Sequence, residues 1–145
     1  MTLRIATWSL AKIAAAARGT VEGDADVRVD HVSSDTRSIT DGALFVALSG
    51  QRFDGHEYVD AAREAGACAA LVSRRVDSSI VQIMVDDTLR GLQRLGHALF
   101  LEAREAGAFS IALTGSNGKT TTKELLAALC HLVPESVEHV RVIRE

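Results

Sequence analysis

Two periodicities alternate along this chain. Short apolar runs have the length of strands: ALFVAL at 43–48, which reads as buried, CAALV at 68–72, IVQIMV at 80–85 and FSIAL at 109–113. Between them apolar residues recur at helical spacing. Trp8, Leu10, Ile13, Ala14 and Ala17 trace a first helix, with Thr7 as its cap and Gly19 at its left-handed exit. Tyr58, Val59, Ala62 and Ala65 trace a second helix that ends at Gly66. Leu89, Leu92, Leu95, Leu99 and Ala103 trace a third, capped by Asp86, Asp87 or Thr88, and this leucine face is core rather than a partner zipper. The segment 27–32 alternates imperfectly, Val27, Val29 and His31 against Arg28, Asp30 and Val32, and reads as a short strand. Asp41-Gly42 and Asp54-Gly55 mark turns. Strand, helix and strand in succession give a βαβ rhythm and hence an α/β fold.

No Pro- or Ser-rich linker separates domains. A break is expected near residue 84, because the strand-loop-helix that follows has its own logic. Residues 1–83 then form a compact α/β domain, and 84–145 pack poorly or lean on it. Composition adds mainly exclusions. With 47% hydrophobic and 24% charged residues, no membrane-length apolar run and no charged-then-apolar leader, the expectation is a soluble, cytoplasmic, monomeric protein. The formal charge of −3 is spread without blocks, so any anion site is local, and neither nucleic-acid nor membrane binding is expected. Cys68 and Cys130 sit in alanine- and leucine-rich settings that suit free thiols, and the five histidines lack metal-ligand spacing.

Candidate chemistry concentrates at residues 114–123, TGSNGKTTTK, between the strand FSIAL and the helix-like KELLAALC. Several donors must converge on a triphosphate, and backbone N–H groups at a helix start supply them together with the positive end of the helix dipole. Gly115 and Gly118 let the backbone curve round phosphate, Lys119 reaches the β and γ oxygens, and the Thr120 hydroxyl suits Mg²⁺. Ser116, Asn117 and Thr121 are further donors. The strict pattern GxxxxGK[ST] fails, since Leu113 stands where its first glycine belongs. A bare helix-capping turn with an exposed lysine is the bland alternative.

TGSNGKTTTKE resembles the ATP loop of the Mur ligases, whose shortened TGxNGKT also lacks the early glycine, so the irregularity becomes a signature. Upstream, SSDTRSITDGALFVALSGQRFDGHEYVDAAREAGACAALV is similar to the N-terminal substrate domain of the same family, in order and spacing. The resemblance covers about residues 3 to 130. It implies a small N-terminal substrate-binding α/β domain, followed by the truncated start of a P-loop ATPase domain with an unaligned tail at 131–145. It also implies ATP and Mg²⁺ as cofactors, with Lys119 and Thr120 catalytic and Thr120 on the metal. Ser34 and Thr36, with Gln51, Arg52 and Phe53, match positions where related ligases hold a uridine nucleotide, while Asp54 and His56 shape their loop. A polar turn with a local ion pair is the plainer reading of Asp35-Thr36-Arg37.

Within the family, SDTR, RFDGH, VDDTLRGLQRLG and Ser116 resemble the branch that joins D-alanyl-D-alanine to UDP-N-acetylmuramoyl-tripeptide in peptidoglycan synthesis. The branch adding the third amino acid is similar, with threonine more often at the position of Ser116. A stand-alone UDP-sugar binding module and a small kinase are the alternatives from other classes. The tail CHLVPESVEHVRVIRE aligns with nothing in the family, and Pro134 ends the last helix early, so the chain is expected to be an inactive fragment or an altered reading frame.

Overall fold

In the computed structural model, which describes residues 2–107, 121, 122 and 124–126, a six-stranded mixed sheet organises the unit Met1–Gly107. Its strands are β1 (Thr2–Ser9), β2 (Thr20–Glu22), β3 (Arg28–Ser33), β4 (Ala43–Val46), β7 (Ala67–Val72) and β8 (Val81–Met84), and α1 (Leu10–Ala17), α2 (Val59–Glu64) and α3 (Thr88–Glu105) join them. The order is β1-β3-β4-β7-β8-β2. The central four strands run parallel, and β1 and β2 close the edges antiparallel. A two-stranded ribbon, β5 (Ser49–Gly50) with β6 (Phe53–Asp54), stands apart from this sheet.

The continuous apolar runs have a simple cause: the central strands are covered on both faces. Leu44, Val46, Ala69 and Leu71 pack on one side with Ile13, Ala17 and Leu95 of α1 and α3. Ala43, Phe45, Ala70 and Val72 face the other side, against Val59 and Ala62 of α2 and Ile80. Neighbours in sequence thus serve opposite faces, the period-two rule of a strand.

Several sequence expectations change. Trp8 is a strand residue, because β1 runs to Ser9 and pairs with β3, Trp8 facing Val29. Ser9, not Thr7, caps α1 and accepts from the Lys12 N–H at 3.3 Å. The left-handed residue is Arg18 (φ 59°), while Gly19 meets a different need. A Cβ at Gly19 would lie 2.5 Å from the Met84 carbonyl oxygen, so α1 leaves its last turn in contact with β8.

The boundary also moves. α3 is capped by Asp87, whose carboxylate accepts from the Arg90 N–H at 2.8 Å, and it packs on the first unit rather than opening a second. Leu95 is fully buried in the core, and Arg94 reaches across to both Asp86 and the Ala17 carbonyl. Lys12 of α1 ties the far end of α3 through Glu102 at 2.7 Å while lying over the Trp8 ring. The division therefore falls between Gly107 and Ala108, not near residue 84. On α3 the buried face is Thr88, Gly91 and Leu95, and Leu89 is exposed.

The segment FSIAL, expected as a strand, the expected phosphate loop at 114–120, Lys123 and the tail lie outside the described residues. In the second unit, Thr121, Thr122 and Glu124–Leu126 are helical, with both threonines exposed. No helix among the described residues is long and apolar enough to cross a membrane.

Candidate functional site

Parallel neighbouring strands deliver their C-terminal loops to one edge of a sheet, the usual place for ligands in α/β domains. Here β3 delivers residues 34–38, β4 delivers 47–56 and β7 delivers Ser73 and Arg74 to that edge. Ser34 and Thr36 are thereby brought to the same edge as Gln51, Arg52 and Phe53, from strands adjacent in the sheet.

The first loop is a compact turn. Ser33, buried at the end of β3, has its hydroxyl 2.8 Å from that of Ser38, and Ser38 in turn donates to the Asp35 carbonyl. Asp35 caps a 3₁₀ turn, Thr36–Ser38, by accepting from the Arg37 N–H, and its carboxylate takes the Arg37 Nε and Nη2 at 2.9 and 2.7 Å. These bonds hold the Asp35 carboxyl down at about 2 and raise the Arg37 guanidinium. The Asp35–Arg37 ion pair is thus local and structural, as its spacing suggests. Ser34 and Thr36, half-exposed, make no side-chain hydrogen bond with a described residue.

The second loop is the β5–β6 ribbon, and its base is tight. Gly55 donates to the Leu48 carbonyl at 2.8 Å, and a Cβ at Gly55 would meet that oxygen at 2.6 Å. Only glycine permits this approach. At the tip Gln51 and Arg52 are exposed, and Arg52 forms no ion pair with a described residue. Phe53, 49% exposed, stacks on Tyr58, 41% exposed, with centroids 5.2 Å apart and planes at 21°. Tyr58 was expected on the buried face of α2. Instead it precedes that helix and presents an aromatic surface with Phe53.

Behind the tip lies a polar cluster that joins the second loop to the third. Asp54 Oδ1 accepts from the Ser49 hydroxyl at 2.8 Å, from the His56 N–H at 3.0 Å and from His56 Nδ1 at 2.6 Å, while Oδ2 takes Arg74 at 2.8 Å. Arg74 above all, then Ser49 and His56, hold the Asp54 carboxyl well below the usual carboxylate range. Sequence reasoning gave Asp54 and His56 a shaping role and missed Ser73 and Arg74. No local signal marks those two, which lie 17 and 20 residues away from their partners.

A separate shallow concavity of about 440 Å³ is lined by Glu22, Arg75, Ser78 and Gln82 among others, and holds none of the expected site residues. Of the expected ATP-loop residues, Thr121 is helical and exposed, and Gly115 to Thr120 lie outside the described residues.

The class defined here is an α/β domain whose doubly covered sheet carries three loops on its carboxyl edge. Residues 28–102 match the Mur ligase family, catalytic domain, and the chain belongs to that family. It is 44% identical over 111 residues to the UDP-N-acetylmuramoyl-tripeptide–D-alanyl-D-alanine ligase of Escherichia coli K12, covering 77% of this chain and 24% of the relative. It is 39% identical over 99 residues to the UDP-N-acetylmuramoyl-L-alanyl-D-glutamate–2,6-diaminopimelate ligase of Aquifex aeolicus, covering 68% of this chain and 20% of the relative. A crystal structure of MurF from Acinetobacter baumannii superposes with a TM-score of 0.78 at 32% identity, over 90% of this chain and 29% of that one. The chain thus spans between a fifth and three tenths of the length of these relatives.

Proposed function

We propose that this chain is part of an ATP-dependent ligase of peptidoglycan precursor synthesis, of the kind that joins D-alanyl-D-alanine to UDP-N-acetylmuramoyl-tripeptide. In this reading the unit Met1–Gly107 holds the uridine nucleotide of that substrate and Ala108 onward begins the ATP site. The observation that carries the reading is the exposed Phe53–Tyr58 pair beside Arg52, on the edge that also presents Ser34 and Thr36. An aromatic surface suits a pyrimidine, an arginine suits a diphosphate, and hydroxyls suit the polar edges of either.

The family chemistry gives each expected ATP-loop residue a task. A carboxylate is a poor acyl donor, so its oxygen attacks the γ-phosphorus of ATP, ADP departs, and an acyl phosphate forms. The incoming amine then attacks the carbonyl carbon, loses a proton, and phosphate leaves with the C–O electron pair. Lys119 would offset charge on the transferring phosphoryl group, and the Gly115–Thr121 backbone would cradle the phosphates. Mg²⁺, with the Thr120 hydroxyl as one ligand, would neutralise phosphate charge.

The ligase that adds the third amino acid is a second reading, supported by the 39% identity to the Aquifex relative; Ser116 favours the first. Because the chain spans a fraction of its relatives, binding is the property to measure. Titration calorimetry of the 145-residue chain with UDP-N-acetylmuramoyl-tripeptide should give saturable heat. Phe53→Ala should weaken it about tenfold, the order of one lost base-stacking contact, with an unchanged melting temperature. A wild-type chain that takes up neither this ligand nor Mg-ATP would sink the assignment, and uptake of the first alone favours a UDP-sugar binding module.

A further inference from the structure

The ring of His56 is 2% exposed and both of its nitrogens are engaged. Nε2 accepts from the Ser73 backbone N–H at 3.0 Å, so it carries no proton; the ring's hydrogen is then on Nδ1, donated to Asp54 at 2.6 Å. That bond points to a carboxylate which also receives Ser49, at the start of the ribbon, and Arg74, beyond the end of β7. One buried imidazole thus links the two ends of the hairpin that carries Gln51, Arg52 and Phe53 to the end of a central strand. Few apolar contacts can do this work, since Ser49 through Phe53 are exposed.

We infer that His56 is a positioning residue: as the Nδ1–H tautomer, and through Asp54, it fixes the 49–54 hairpin in the shape that receives a uridine diphosphate. The inference rests on the uridine reading for its ligand, but the clamp itself is a property of the free protein. Asp54 serves a second end. A carboxylate two residues from Arg52 would repel a diphosphate, and its ion pair with Arg74 and hydrogen bond from His56 offset that charge.

Two substitutions separate the halves of the imidazole. His56→Asn keeps a donor near the Nδ1 position, facing Asp54, whereas His56→Gln keeps an acceptor near the Nε2 position, facing Ser73. Amide hydrogen exchange of residues 50–53 in the ligand-free chain reads the clamp, and calorimetric titration with uridine 5′-diphosphate reads its consequence. His56→Gln should speed exchange and weaken the diphosphate about tenfold, and His56→Asn should stay within about threefold of the wild type. Nitrogen-15 spectra of the wild-type chain, which need no variant to fold, should show a protonated Nδ1 and a bare Nε2. An Nε2–H tautomer, or a His56→Gln chain with wild-type exchange, overturns the clamp. Wild-type affinity in His56→Gln despite faster exchange overturns its role in binding. If the wild type binds no uridine 5′-diphosphate, the uridine reading falls, and the exchange rates and tautomer decide the clamp by themselves.

Discussion

Replacing Leu95 by alanine tests whether α3 belongs to the first unit. Its side chain is fully buried against the sheet face built from Leu44, Val46, Leu71 and Ile83. Leu→Ala removes three carbons, at about 0.8 kcal/mol each for transfer, or about 2.4 kcal/mol. A rigid sheet on one side and α1 on the other limit collapse, and the residual cavity brings the expected loss to about 2–5 kcal/mol. For a unit of this size that lowers the melting temperature by on the order of 10 °C or more. Leu89 supplies the control: it belongs to the same helix and the same leucine series, but is 53% exposed. Leu89→Ala should change stability by no more than about 0.5 kcal/mol. Urea unfolding followed by circular dichroism measures both. A Leu95→Ala loss below about 1 kcal/mol, or equal losses at the two positions, would refute the packing argument and restore a boundary before α3.

Arg18 holds a left-handed conformation that costs an L-residue roughly 1–2 kcal/mol. Arg18→Gly relieves it against a larger unfolded-state entropy, so a net gain of about 0.5–1 kcal/mol is expected in urea unfolding; a loss would refute the strain assigned to Arg18. Acid unfolding should report Asp86, whose carboxyl is held at about 2 by its paired hydrogen bonds to Arg94 at 2.7 and 3.0 Å. The folded value lies below the ordinary 3.8, so this stabilisation is present above about pH 4 and is lost as pH falls through about 2. The stability gap between wild type and Asp86→Asn should be level at neutral pH and shrink as pH falls from about 4 to about 2, and a gap that keeps its neutral-pH size down to about pH 2 contradicts the pairing.

Much of this architecture was legible in the chain. ALFVAL and CAALV announced strands, Gly66 marked its turn, and SDTR and GQRFDGH announced the loops that the fold places on one edge. What local pattern could not supply was pairing. β1 and β2 are edge strands: the alternation of TLRIATWS is interrupted at Ile5-Ala6, TVE is three residues long, and each is completed by a ladder partner, β3 and β8. Trp8 looked helical because its spacing to Leu10 and Ile13 fits a helix as well as a strand end, and the cap at Ser9 settles it.

The sequence by itself determined the α/β class, the family and the list of residues bearing candidate chemistry, since each rests on periodicity or on contiguous motifs. Tertiary structure alone decided which of those residues stand together and what holds them. Asp54 meets Arg74, and His56 meets Ser73, across a helix and a strand of intervening chain; Tyr58 meets Phe53 because the chain turns at Gly55. It also decided that α3 completes the first core rather than beginning the second unit, because Leu95 joins the buried cluster that α1 and the sheet share. Spacing marks a face as apolar, but which segment arrives to cover it is set by the rest of the chain.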